Sequence, residues 1–246
     1  LDQNQKKEIK DTLVNFGVVF IKKQNLDPAS YQNFAKCIGQ PVVYPRLRGL
    51  DEKFPFINVI ERKPDDKNLS FGSSWLHQDT SYLANDRPRF TMLMGIEIPI
   101  GQGNTIFSSG FNAYEKLPSK IKNKIKNATG IFSSAGPIAV TRIEREKEMG
   151  IKTSDSMEAE HPIVKIVNGK KTLYVSPGHL MKIKNVDEKD SDYLKKYLIE
   201  HVNKQEFIFS YEWSKGDICL WDNLSILHMA SEIKNCRRLM HRITIK

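Results

Sequence analysis

The chain opens on an amphipathic pattern: Ile9, Leu13 and Phe16 share one face over residues 3–16, and Gly17 ends the run, which predicts a helix. The β-branched and aromatic stretch Val18-Val19-Phe20-Ile21 predicts a strand directly after it. Asp27-Pro28 reads as an N-cap with proline at the first helical position, and Tyr31, Phe34, Ala35 and Ile38 supply the apolar face of a second helix closed by Gly39. Strands are expected over 54–62, over the buried run FTMLMGIEI at 90–98 and over 105–108, and two short helices over 111–117 and 118–127. Residues 63–74 read as a polar loop, and 133–160, of mixed charge and no clear period, as a candidate lid over a β-scaffold. Asn168-Gly169 between 162–167 and 172–176 predicts a hairpin, and a helix over 191–202 precedes strands at 207–211, 217–221, 226–229 and 237–245. Without βαβ alternation or an internal repeat, the expected class is mainly β with flanking helices, a jelly-roll-like double sheet formed by one domain over 1–246.

Composition narrows this picture only in part. With 39% hydrophobic and 27% charged residues and no apolar run of about 18, neither a disordered chain nor a membrane-spanning helix is expected. The net charge of +9 leaves a nucleic-acid surface, an acidic membrane face and an anionic small substrate all open. Cys37, Cys219 and Cys236 form no C-x-x-C pair and point to a reducing compartment. The chain begins at Leu1 with no charged-then-apolar leader after it, so a trimmed, cytoplasmic protein is expected.

The chemistry concentrates in few residues. His77-Gln78-Asp79 follows the polar loop and opens an expected strand, where residues two apart project on one face and let an imidazole and a carboxylate converge. An H-x-D tripeptide alone is a weak signal. His228, after the turn Trp221-Asp222-Asn223 and before the small residues Ala230 and Ser231, is the best third ligand. Two histidines and one aspartate would occupy one face of an octahedral ion and leave the other open. Arg238 and Arg242 share a face of the last strand, where buried cations are costly without anions, and a guanidinium fork suits a carboxylate.

Four blocks carry a family resemblance: WLHQD at 75–79, GQGNT-x-F-S at 101–108 with AYEKLP at 113–118, HP and LYVS within 161–176, and WSKGDICLWDN, LH and RRLMHR within 213–242. In order and spacing, over roughly residues 39–246, the chain resembles the TauD/TfdA family of Fe(II)- and 2-oxoglutarate-dependent dioxygenases. The resemblance implies a double-stranded β-helix, with His77, Asp79 and His228 binding iron, Thr105 and Arg238 holding the distal carboxylate of 2-oxoglutarate, and Arg242 touching an anionic substrate group or the co-substrate. It further implies that 2-oxoglutarate and O2 are consumed, succinate and CO2 released and a substrate carbon hydroxylated; Asp79 in the carboxylate position favours hydroxylation over halogenation. The expected substrate is a small anion: a sulfonate, sulfate ester, phosphonate, betaine or aryloxy acid. Tyr44 stands where the taurine enzyme has a sulfonate-binding histidine, and Trp75-Leu76-His77 replaces the usual Trp-His, so a substrate other than taurine is expected.

Other residues have plainer readings. His179, on a turn after a strand, is a further substrate candidate; His241 reads as a packed core histidine, and His161 and His201 as structural or exposed. Lys116, Lys120, Lys122, Lys124 and Lys126 read as a solvated helix face. Two alternatives stay open: a zinc hydrolase using the same two histidines and aspartate, indifferent to 2-oxoglutarate, and a basic nucleic-acid-binding domain, which the lack of an RNP-like aromatic pair or recognition helix disfavours. The expected partner set is thus a small molecule, with no nucleic acid and no membrane, in a homo-oligomer (dimer or tetramer).

Overall fold

Asp2 starts α1 (Gln3–Phe16) with a reciprocal capping box: its carboxylate accepts from the Gln5 N–H, and the Gln5 side chain accepts from the Asp2 N–H. Gly17, at φ +78°, ends the helix in the left-handed conformation and turns the chain into β1 (Val18–Ile21). Asp27 and Pro28 open α2 (Pro28–Ile38) as the sequence predicts. In this computed structural model the described residues are 2–44, 46–84, 87–148, 150 and 156–246.

β2 (Pro41–Val42), β3 (Asn58–Arg62) and β4 (Phe90–Glu97) follow. β3 begins later than its apolar pattern predicts, because Phe54 is tied back to the Asp51 carboxylate and Ile57 to the Phe54 carbonyl in a turn. Next come β5 (Thr105–Ser109), α3 (Gly110–Glu115), α4 (Ser119–Ile125) and β6 (Thr129–Ser133). β6 has its apolar pair Ile131-Phe132 preceded by Gly130, which shortens the pattern; a Cβ at Gly130 would lie 2.8–2.9 Å from Leu180, Phe132 and Ile163 side chains. The segment 133–160 carries a short 3-10 helix (Pro137–Thr141), α5 (Ile143–Glu148) and the start of β7 (Glu158–Pro162), while 149 and 151–155 of the expected lid lie outside the described residues. β8 (Val164–Val167) and β9 (Lys170–Leu173) form the predicted hairpin, with Asn168 and Gly169 at φ 50° and 77°. The chain closes with β10 (Leu180–Lys184), which the sequence pattern does not announce, α6 (Glu188–Val202), β11 (Ile208–Tyr211), β12 (Ile218–Asp222), β13 (Ile226–Ala230) and β14 (Arg238–Ile245).

The ladders between these strands are antiparallel. The large sheet runs β1-β12-β4-β14-β2, with β3 beside the first half of β14; β11-β5-β13 and β10-β6-β7 form two three-stranded sheets. Leu93, Trp221 and Met240 from the large sheet pack with Phe107, Tyr211 and Ile226 from β11-β5-β13, so one apolar cluster lies between these two sheets. Helices α1 and α2 cover a second cluster with Met92, Leu220 and Ile243, while α3, α4 and α6 cover the third with Phe132, Leu173 and Leu227. The sandwich of the first cluster sets the position of the functional side chains, because β4, β5, β12, β13 and β14 all contribute to it. Of the lysines of α4, Lys120 is exposed, while the half-buried Lys122 and Lys124 reach the Glu115 carbonyl and Asp190 of α6.

Candidate active site

His77 and His228 are joined through the backbone: the His77 N–H donates to the His228 carbonyl at 2.9 Å and the His228 N–H to the His77 carbonyl at 2.8 Å. The expected strand at 77–79 is limited to this single bridge, because Ser74 and Thr80, on either side, take positive φ values of 72° and 54° and turn the chain away. The bridge still brings the side chains together as the i, i+2 reading requires. His77 Nε2 lies 3.9 Å from Asp79 Oδ1 and His228 Nε2 lies 3.8 Å from Asp79 Oδ2, and one ligand atom from each residue falls within 4.8 Å of the others.

Each donor is prepared for a cation. The His77 Nδ1–H donates to the Trp75 carbonyl at 3.0 Å, which leaves Nε2 with its lone pair. Burial holds both imidazoles below their ordinary pKa, His228 furthest, so both stay neutral. For Asp79, burial pushes the pKa up but loses to Arg242, His228, His77 and the Thr91 hydroxyl, which together hold it well below the usual carboxylate range. Thr91 Oγ1 donates to Asp79 Oδ2 at 2.6 Å and Arg242 Nη2 stands 2.8 Å from the same oxygen, so the recorded partners gather on Oδ2 and leave Oδ1 toward His77. Asn223 fixes the other end, accepting from the Asp79 N–H through Oδ1 and donating through Nδ2 to Thr91 Oγ1. Two neutral imidazoles and an ionised carboxylate form a donor set that fits a divalent transition metal.

Two clefts meet at this triad. The first is lined by Thr105, Arg238, Arg242, Leu93, Trp221 and Met240 as well as the three triad residues. Arg238 is nearly fully buried, and its Nε and Nη2 have no partner among the described residues. Burial lowers its pKa to about 10, and no anion among the described residues compensates. Thr105 Oγ1 accepts from Trp213 Nε1 at 2.9 Å, so its own proton is free to be donated into the cleft. Gly103 makes the close approach possible: at φ +75° it faces the Arg238 side chain, and a Cβ there would lie 2.7 Å from Arg238 Cδ. These features suit a small carboxylate.

The second cleft is lined by Tyr44, Phe71, Tyr82, Ile138, Thr141, Arg142 and His179, together with His77 and Asp79. Tyr44 and Tyr82 share a hydrogen bond between their hydroxyls at 3.2 Å. Burial pushes both phenols up, so they stay protonated. His179 Nδ1 lies 3.0 Å from Ser81 Oγ and 3.1 Å from Ser176 Oγ, and burial pushes it down to about 3, so it is neutral.

Tyr44, His77, Asp79, Thr105, His179, His228, Arg238 and Arg242 are therefore brought to one region, with Arg242 on the carboxylate side and Tyr44 and His179 on the other. His241 is buried away from it, as expected of a core histidine, and His161 and His201 are buried structural residues bonded to the Leu83 and Ala113 carbonyls. Sequence reasoning passed over Phe71, Tyr82 and Arg142, which lie in loops and short turns where no periodicity singles them out. Thr91, the partner of Asp79, was hidden among the residues of β4, and Trp213, the partner of Thr105, lies in the connection after β11.

A family model described as taurine catabolism dioxygenase TauD, TfdA family matches residues 1–244. The chain is 29% identical over 257 residues to an alkylsulfatase of Acinetobacter baylyi, a match covering 100% of this chain and 78% of that protein. It is 27% identical over 255 residues to an alpha-ketoglutarate-dependent sulfate ester dioxygenase of Pseudomonas putida, covering 100% and 82%. Its fold is similar to that of a taurine dioxygenase from Burkholderia xenovorans, with a TM-score of 0.81 at 25% identity, covering 100% of this chain and 81% of that one. These relatives support the dioxygenase reading and not the zinc-hydrolase or nucleic-acid alternatives.

Proposed function

Because the chain belongs to the TauD, TfdA family of taurine catabolism dioxygenases, we propose that its substrates are alkyl sulfate esters or alkanesulfonates. It is an oxidoreductase of the Fe(II)- and 2-oxoglutarate-dependent class. The observation that carries the substrate reading is the pair of clefts meeting at His77 and Asp79: one ends on the unpartnered guanidinium of Arg238, and the other is walled by aromatic and aliphatic side chains around a single guanidinium. The first suits 2-oxoglutarate and the second an apolar chain with one anionic head.

When bound, Fe(II) with 2-oxoglutarate and O2 supplies the oxidising chemistry that hydroxylates a substrate carbon. His77, Asp79 and His228 would hold the metal. Arg238 and Thr105 would orient the distal carboxylate, the one through its fork and the other through its free hydroxyl proton. Arg242 keeps Asp79 ionised and Thr91 keeps it in place, while Leu93, Trp221 and Met240 exclude water from the carboxylate cleft. We read β5, β11 and β13 against β4, β12 and β14 as the two faces of a double-stranded β-helix within one domain, a reading supported by the apolar cluster they share and by a family match running almost end to end. Among the described residues no helix is long and apolar enough to cross a membrane.

The test is turnover by Fe(II)-loaded protein with O2, 2-oxoglutarate and a panel of hexyl sulfate, hexanesulfonate, taurine and phenoxyacetate. Hexyl sulfate is expected to yield succinate, CO2, hexanal and inorganic sulfate in equal amounts. Succinate formed only with phenoxyacetate, or with none of the four, would overturn the substrate assignment.

A further inference from the structure

Tyr44 and Arg142 line the aromatic cleft from segments far apart in the chain, and a buried ion pair joins those segments just beyond the cleft. Arg46, two residues after Tyr44, donates from Nη1 to Glu146 Oε1 at 3.2 Å, and the two side chains are only 6% and 1% exposed. Glu146 lies on α5, one turn after Arg142, whose Nη1 donates to the same oxygen at 2.5 Å. Arg142 Nη2 donates to the Ser134 carbonyl at 2.7 Å, so both tips of its fork are engaged within its own segment. The substrate's anionic group is thereby left to Arg242, whose Nη1 has no hydrogen-bond partner among the described residues.

The rest of the wall leans on the same carboxylate. The Arg46 guanidinium carbon lies 5.6 Å from the centre of the Tyr82 ring, and the Tyr82 hydroxyl is bonded to that of Tyr44. Before α5, the 3-10 helix is tied to the loops on both sides of His77: Thr141 Oγ1 accepts from the Gly72 N–H at 3.2 Å, and the Ile138 N–H donates to the Gly178 carbonyl at 3.2 Å. Those bonds fix the start of the segment, and the Arg46–Glu146 pair carries the attachment on to α5. Unlike an exposed pair, this one is out of water, and removing either partner leaves the other as a buried charge with lost compensation. Withdrawing two guanidiniums and a carboxylate from water is unfavourable merely to fasten a short helix; what they fasten here is the wall of the cleft.

Resting on the reading of the aromatic cleft as the substrate site, we propose that Glu146 is a positioning residue: with Arg46 it forms a clasp that closes Tyr44, Tyr82, Thr141 and Arg142 around the bound substrate. Release of Arg46 opens the cleft between the Tyr44 segment and α5, so substrate enters and product leaves there, while the carboxylate cleft, built on strands, is unaffected.

The test uses protein loaded with Mn(II) and N-oxalylglycine, an unreactive analogue of 2-oxoglutarate, and reads amide hydrogen exchange together with calorimetric titration of hexyl sulfate. Arg46→Gln is expected to speed exchange of the bonded Ile138, Arg142 and Glu146 amides by about tenfold or more and to weaken hexyl sulfate binding by a similar factor, with Arg46→Lys recovering part of both. Glu146→Ala is expected to do at least as much, and adding Arg46→Gln to it to do no more, as for two members of one interaction. Exchange in β4 and β14 and the affinity for N-oxalylglycine are expected to stay at wild-type values. Unchanged exchange over 138–146, or unchanged hexyl sulfate affinity, in both single variants overturns the clasp. Additive losses in the double variant overturn it too, as does an equal loss of N-oxalylglycine affinity, which would mark a general loosening of the fold. If the wild type binds neither hexyl sulfate nor hexanesulfonate, the substrate assignment falls, while the exchange data still decide whether Arg46 and Glu146 hold the wall closed.

Discussion

The carboxylate cleft and the aromatic cleft share Phe71, Gly72, His77 and Asp79, yet the rest of their walls are made of different material. Thr105, Leu93, Trp221, Met240, Arg238 and Arg242 all project from strands β4, β5, β12 and β14, each held by ladder bonds on the sheet. Tyr44, Tyr82, Thr141, Arg142 and His179 come from loops and short turns, held by isolated hydrogen bonds. The part that handles a common co-substrate is thus welded to the sheet, whereas the part that selects the substrate is carried on segments that can change in length and sequence without disturbing a strand.

That contrast can be attacked from both sides. His77→Ala should remove a ligand common to both clefts, abolishing iron retention by metal analysis and lowering succinate formation by about 10³-fold or more. Arg238→Gln should raise the KM for 2-oxoglutarate by about 10- to 100-fold, as expected for loss of a buried charge-assisted bond, with little change in hexyl sulfate affinity measured by calorimetry. Gly103→Ala should act on the same cleft more mildly, because its Cβ must displace Arg238 Cδ and occupy a strained φ of +75°; an increase of about tenfold in the KM for 2-oxoglutarate is expected from a cost of roughly 1–2 kcal/mol. Tyr82→Phe, which removes the hydroxyl partner of Tyr44, should alter hexyl sulfate affinity by about threefold or less and leave the KM for 2-oxoglutarate unchanged. A Tyr82→Phe effect on 2-oxoglutarate, or a Gly103→Ala effect confined to the sulfate ester, would show that the two clefts are not separable.

The same division explains what could be read from the chain. The strand and helix pattern located β1, β4, β12 and β14, and with them Arg238 and Arg242, because alternation on a buried strand fixes which side chains face inward. β6 and β10 were missed because each is a five-residue strand with an interrupted apolar pattern: Gly130 breaks β6 where Leu180 and Ile163 crowd in, and only Leu180 and Ile183 of β10 are buried. In the site, His77, Asp79 and His228 were legible as residue types with metal-ligand chemistry, and the family resemblance placed them together. Arg142 was not legible, because an arginine in a charged, aperiodic segment looks like any solvated cation until Gly72, Gly178 and Glu146 pin it to the cleft. Arg242 was read as touching an anionic substrate group or the co-substrate, and its 2.8 Å approach to Asp79 and the Tyr44 ring 4.7 Å from its guanidinium carbon put it where the two clefts meet.

The paired backbone bonds between His77 and His228 have a consequence for how such a site could be altered. Because main-chain atoms hold the two imidazoles side by side, their address in the molecule does not depend on the third donor, Asp79, which is anchored separately by Thr91, Asn223 and Arg242. The scaffold therefore separates where the metal sits from what completes its coordination, and a single exchange at residue 79 would change the character of the centre while leaving its location intact.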